Sequence, residues 1–377
     1  MSGVTPSVGA LKVLVLGGTG YIGGSVLDHL LRSRPTLCTR LAFTLVVREQ
    51  GKADQLLQRY TSGPNSDTIK INIVLTDHAD TKKIAELAAE SDVVMNLADA
   101  DDLNLAKAVN EGLIKRANAH PQRRPLLLHT SGTSVFSDPK EEDGTHTTKH
   151  VYDDAHPDDF WSLPSSAPHH AVDLEVLSAQ DKGVNTLIVA PCTIVGWGVG
   201  INHQSIQVPG LIKGALLRKP PQTGVLGTGA NEWPYIHVND LAEAYALLLT
   251  KGLGVDNEGH PLASDPHPLS FGRNGVFYPA AGHYTHRELA QRIASTLHRL
   301  APDLVQTEDI TPWTDEDIER ALYGKKMVGL IYGGSVHVQC TRLPQLGWRP
   351  THPPIFDTLE KDTQAQISKL RAGTLGK

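Results

Sequence analysis

The sequence predicts an α/β protein built on a doubly wound parallel sheet. Three observations carry that expectation: short continuous apolar runs, amphipathic segments between them, and a glycine cluster directly after the first run. Unbroken apolar runs are what strands covered on both faces require. Residues 11–16, Leu-Lys-Val-Leu-Val-Leu, are the first such run. The segment after the glycines puts Val26, Leu27, Leu30 and Leu31 on one helical face. Further strands are predicted at 40–47, 69–75, 92–97 and 125–129, with helices at 81–89 and 104–119. Strands alternating with helices wind a parallel sheet through right-handed crossovers.

Beyond residue 134 the period dissolves. Residues 137–168 are rich in Asp, His, Pro, Ser and Thr and are predicted to form a mobile cover. Order returns in a helix at 171–180, a strand at 185–189, a helix at 204–217, an extended stretch at 232–238 and a helix at 240–249. Residues 252–274, rich in Gly, Pro and His, read as a surface loop. A late strand is predicted at 277–280 and a helix at 286–300, with the C-terminal third capping the sheet. The chain has 377 residues, enough for one large domain and a smaller lobe.

Composition excludes several classes. The net charge of -6 offers no basic footprint, so no nucleic-acid partner is expected. No apolar run approaches the ~20 residues that span a bilayer, and residues 1–10 lack the pattern of a signal peptide. Cys38, Cys192 and Cys340 are far apart, which fits a reducing, cytoplasmic setting and no metal or redox pair. The histidines at 146, 150 and 156 form no zinc spacing. No metal is expected, and the assembly is expected to be a monomer or homodimer.

Gly17, Gly20 and Gly23 have the GxxGxxG spacing between the first strand and first helix. They allow a tight turn, close approach of backbone to a pyrophosphate, and close packing of helix on strand. Thr19, Tyr21 and Ile22 complete this loop, and the helix N-terminus adds free N–H groups. Strand, loop and helix in this order predict a Rossmann-type dinucleotide site. The second strand ends at Arg48, where an acid would hold the ribose of NAD. An arginine there suits the 2′-phosphate, so NADP is expected ahead of NAD.

From this point the chain resembles the extended and atypical short-chain dehydrogenase/reductase superfamily, the NAD-dependent epimerase/dehydratase group. The resemblance runs nearly end to end, through Val109-Asn110-Glu-Gly112, Pro191-Cys-Thr-Ile-Val-Gly196, Tyr235-Ile-His-Val-Asn-Asp-Leu-Ala242 and Leu346-Gly-Trp-Arg-Pro350. It implies that Asp77 contacts adenine, that Leu97 and Ala98 lie along the cofactor, and that Pro191 begins a segment touching the nicotinamide. It also implies a nucleotide-binding domain over 1–200, to which 232–250 and 276–298 return. Residues 201–231 and 299–377 then form mainly a smaller substrate-binding lobe.

The resemblance breaks at the catalytic residues. The family's serine position falls on Gly132, beside Ser131, Thr133 and Ser134. The tyrosine and lysine positions fall on Ala167 and Ala171, and no tyrosine occurs between 153 and 234. Remaining proton donors are His169 and His170, with Ser131 or Thr133 as helper and Tyr152 as a substitute reaching in from the cover. Asp173, four residues after His169, is expected to orient its ring, while His237 is expected to be buried and structural.

The expected function is therefore an NADP-dependent oxidoreductase acting on the carbonyl or alkene of a small, rather apolar metabolite. The rivals are a non-catalytic NADP-binding sensor or regulator, and a non-redox isomerase or lyase on the same scaffold.

Overall fold

The computed structural model describes residues 10–61, 69–137, 143–262, 268–322 and 328–375. Its strands are β1 (Leu11–Leu16), β2 (Leu41–Val47), β3 (Lys70–Leu75), β4 (Val93–Asn96), β5 (Leu126–Thr130), β6 (Tyr152–Asp153) and β7 (Asn185–Val189). Then come β8 (Thr193–Val195), β9 (Gly224–Val225), β10 (Glu232–His237), β11 (Val276–Phe277), β12 (Gly282–Thr285), β13 (Thr311–Pro312) and β14 (Val338–Gln339). Seven of them form one parallel sheet in the order β11-β7-β5-β4-β1-β2-β3. Val13–Leu16, Val93–Met95 and Leu126–Leu128 are essentially inaccessible, as strands packed on both faces must be.

The chain starts in mid-sheet at β1, runs outward through β2 and β3, then returns to β4 on the other side. That reversal opens a crevice at the carboxyl ends of β1 and β4, the place where such sheets receive ligands. The helix Tyr21–Ser33 packs on the helix Val238–Leu253, and Thr81–Ala89 packs on Leu103–Ala119.

A smaller sheet, β12-β10-β8, stands beyond the crevice. Around it the helices Gln207–Leu217, His286–Leu300, Asp315–Ala321 and Ile355–Arg371 pack on one another. The helix His286–Leu300 contacts β9, β12 and the C-terminal helix, whereas β11 joins the large sheet. The helix Ile355–Arg371 was not expected from the sequence. Its buried positions Ile355, Leu359, Asp362, Thr363, Gln366 and Ile367 are half polar, which weakens the apolar period.

The described part of segment 137–168 is not a free cover; residues 138–142 lie outside the described residues. β6 pairs with β14, Phe160 and Trp161 are buried, and the Asp154 carboxylate accepts the backbone N–H groups of Thr341 and Arg342 at 2.8 and 2.9 Å. The sequence pattern concealed this because these partners are nearly 200 positions away.

Candidate active site

The glycine loop sits at the mouth of the crevice. Gly17 has φ 80°, the left-handed region that favours glycine, and its carbonyl accepts the Gly20 N–H at 2.9 Å. A Cβ on Gly17 would run into the Leu97 carbonyl, and one on Gly23 into the Gly17 carbonyl. Thr19, Tyr21 and Ile22 lie in and just after this turn, and the helix Tyr21–Ser33 carries no acid in its first turn. The helix dipole therefore faces the crevice uncompensated, as an anion site requires.

Arg48 is exposed one residue beyond β2, and Asp77 is exposed two beyond β3, its carboxylate accepting the Ala79 N–H at 2.8 Å. Leu97 and Ala98 follow β4, and Pro191 follows β7. Leu97 and Pro191 line a cleft of about 440 Å³ together with Gly20, Tyr21 and Ile22 of the glycine loop. The far wall adds Cys192, Ile194 and Ile206, with the neutral polar side chains of Asn202, Gln204, Ser205 and Gln207. Ser131 and His169 complete it, and no lysine or arginine lines this cleft among the described residues.

The predicted proton donors separate clearly. His170 is fully buried, its ring packed against Phe160 and Trp161, and neither ring nitrogen finds a hydrogen-bond partner. Burial lowers its pKa and so favours the neutral imidazole. Tyr152 stacks on Phe136 with ring centroids 3.9 Å apart, in β6 and outside the cleft. Thr133 is buried, with its backbone N–H donated to the Pro191 carbonyl at 3.0 Å.

His169 stands in the cleft wall, but not as its helical spacing suggests. It precedes the helix His170–Ser178 with φ 65°; the Asp173 N–H still donates to its carbonyl at 3.1 Å, but the imidazole turns away from the Asp173 carboxylate. Its Nδ1 lies 2.8 Å from Asp101 Oδ1 and its Nε2 2.7 Å from Ser134 Oγ. Asp173 instead accepts the Ser131 hydroxyl at 2.9 Å, and burial pushes its pKa up to about 7. Asp101 and Ser134 were missed as partners of His169; a polar, Asp-rich loop after a parallel strand was the available signal.

Two further groups are spoken for. The Tyr21 hydroxyl donates to the Gly196 carbonyl at 2.7 Å, and burial raises its pKa, so it is a poor acid. His129 lies within 3.9 Å of the Asp173 carboxylate, but burial pushes it down to about 3, which makes this a contact between a neutral ring and the carboxyl.

The remaining motifs are structural links. Asn110 donates through Nδ2 to the Glu175 backbone and side chain at 2.6 and 2.9 Å. Trp348 Nε1 donates to the Asp240 carbonyl at 3.0 Å, and the Asp240 carboxylate pairs with His352 Nδ1 at 2.7 Å. His237 is buried, accepts the Asn239 N–H at 3.2 Å and stacks on His352.

The model of the NAD dependent epimerase/dehydratase family matches residues 13–260 of this chain. A protein described as oxidase ucsJ, from Acremonium sp, is 26% identical over 370 residues, 95% of this chain and 98% of that protein. The dTDP-glucose 4,6-dehydratase of Mycobacterium tuberculosis is 25% identical over 260 residues, 64% of this chain and 70% of that protein. Among solved structures, the dTDP-glucose 4,6-dehydratase DesIV of Streptomyces venezuelae, with NAD and TYD bound, superposes with a TM-score of 0.61. That match is 15% identical and covers 96% of this chain and 98% of that one, a likeness of fold.

Proposed function

The chain belongs to the NAD dependent epimerase/dehydratase family, and from that premise we propose that it is an NADP-dependent oxidoreductase of the atypical short-chain dehydrogenase type. Its substrate is a small, rather apolar, uncharged metabolite with a carbonyl or alkene. The observation that carries this reading is the cleft beside the glycine loop. Its walls are apolar or neutral, and with Tyr21 and Cys192 both raised in pKa by burial, His169 is the cleft side chain suited to exchange a proton.

The cradle fits a dinucleotide because the Cβ positions of Gly17 and Gly23 are closed by backbone. In this reading Gly17, Thr19, Gly20, Tyr21, Ile22 and Gly23 hold the pyrophosphate, and Asp77 holds adenine. Leu97, Ala98 and Pro191 border the nicotinamide, and Arg48 takes the 2′-phosphate. The dinucleotide supplies the hydride chemistry when bound. Ile194 and Ile206 exclude water from the apolar side of the substrate, while Gln204 and Gln207 orient its polar end. His169 gives or takes the proton, while the Ser131 hydroxyl in the wall stays bound to Asp173. Among the described residues no lysine or arginine lines this cleft, unlike a cleft built for a sugar attached to a diphosphate such as the dTDP-glucose in the dehydratase relative's name.

Cofactor titration tests the first half. Wild type is expected to bind NADPH tighter than NADH by about tenfold, the worth of a contact of roughly 1.4 kcal/mol. Arg48→Ala should remove the difference. Equal affinities in the wild type would exclude the NADP preference, and tight binding with no turnover of any carbonyl or alkene would leave a sensor.

A further inference from the structure

Among the described residues, His169 is the one non-glycine position with positive φ, at 65°. A side chain held in the left-handed region is strained and persists where its surroundings over-determine it. Here the conformation lifts the imidazole off its own helix and turns it toward two loops. Asp101 comes from the loop after β4 and Ser134 from the turn Thr133–Phe136 after β5. Nδ1 is 2.8 Å from the carboxylate and Nε2 is 2.7 Å from the hydroxyl.

Gly132 belongs to the same arrangement. Its φ is -164°, extended backbone open to any residue, so conformation does not demand a glycine. Space does: a Cβ there would lie 3.0 Å from His169 Nε2 and 3.6 Å from Ser134 Oγ. The edge of the imidazole fills the room that a side chain at 132 would take.

The geometry points to an Asp101–His169–Ser134 proton relay that serves this cleft in place of the absent tyrosine and lysine. This rests on the oxidoreductase reading above. Asp101 accepts the Nδ1–H and is the positioning residue, fixing ring and tautomer. In the protonated ring, Nε2–H faces Ser134 Oγ. Of the three, His169 is the one that lines the cleft. The protonated ring gives its Nε2 proton to the substrate oxygen, with Ser134 Oγ holding that N–H until it is transferred, and is left neutral with its Nδ1–H. Substrate oxidation runs the same transfers in reverse, the hydride being exchanged with the bound dinucleotide.

Exposure suits these roles: Asp101 is 65% exposed and keeps its charge in water, while the His169 side chain it positions is 16% exposed in the cleft wall. The hydrogen bond from His169 holds the Asp101 carboxyl below the usual carboxylate range, so Asp101 remains an acceptor for Nδ1–H.

Nitrogen NMR of labelled histidine in the full-length protein reads the relay without reference to activity. The wild type is expected to hold neutral His169 as the Nδ1–H tautomer, and Asp101→Ala to shift it toward Nε2–H. With turnover in hand, Asp101→Ala, Ser134→Ala and Gly132→Ala should each lower kcat on the order of 10²-fold, with NADPH affinity unchanged. Gly132→Ala adds a methyl at a permissive φ, and Asp101 is exposed, so neither change threatens folding. An unaltered tautomer in Asp101→Ala would overturn the relay even in a protein with no turnover. Full kcat in Asp101→Ala and Gly132→Ala, in an enzyme that turns over, would overturn it and leave the oxidoreductase reading standing.

Discussion

Single residues decide what the crevice can hold. Gly23 faces the Gly17 carbonyl so closely that any Cβ would displace the loop that forms the cradle. Gly23→Val is therefore expected to abolish NADP binding while the sheet still forms, because the collision involves backbone that cannot rotate away. A folded Gly23→Val protein that bound NADP normally, by calorimetric titration, would remove the cradle from this loop. Ser131 shows how one position can be occupied without being free to act. It lines the cleft, but its hydroxyl proton is committed to Asp173.

At the scale of elements, the segment around β6 ties the β11 edge of the large sheet to the stretch after β14. Asp154 is fully buried, and its carboxylate gathers the N–H groups of Tyr278, Thr341 and Arg342. Burial raises its pKa to about 6, and those three donors pull it partly back. Removing the carboxylate leaves the donors unmatched inside the protein, at about 1–3 kcal/mol for a stranded group. Asp154→Ala is expected to lower the melting temperature by several degrees and to open residues 143–168 to protease. In the wild type the same residues should be cleaved at equal slow rates with and without NADP, because β6 is paired with β14 and Asp154, Phe160 and Trp161 are buried in the protein itself. Protection that appeared only with NADP would restore a cover that closes on binding.

At the scale of the whole molecule, buried ionisable groups make stability depend on pH in two opposed ways. Burial raises Asp173 and Asp362 to about 7 and Asp154 to about 6. A carboxyl raised above its unfolded pKa binds more protons in the folded state, so its stabilising contribution fades as pH rises through the folded pKa. His129 and His286 are pushed down to about 3 by burial, and they cost stability as pH falls below the unfolded value near 6.5. Asp173→Asn keeps an acceptor for Ser131 but removes the charge. Its melting temperature is expected to gain on the wild type as pH is raised from about 5 to about 8. A constant difference across that range would show that Asp173 titrates normally. No helix among the described residues is long and apolar enough to cross a membrane.

The sequence by itself determined the central strands, the glycine loop and the family. Each of these is written in neighbouring residues: an unbroken apolar run, a GxxGxxG spacing, or a motif such as Tyr235–Ala242, and each can be read along the chain without knowing what lies across it. The resemblance, read along the chain in the same way, implies Ala167 and Ala171 at the positions of the family's tyrosine and lysine. Tertiary structure alone decided the rest. Short strands such as β8, β6 and β14 carry too few residues to show a period, and the polar stripe of Ile355–Arg371 is legible only once it is packed. His169 was legible as a residue but not in its pairing. Spacing along a regular helix points it to Asp173, while one backbone angle at the helix start carries it to Asp101, 68 positions away, and to Ser134, 35 away. A local pattern encodes what a residue does within its own element; which loops meet at the ends of a parallel sheet depends on the order in which the strands are wound.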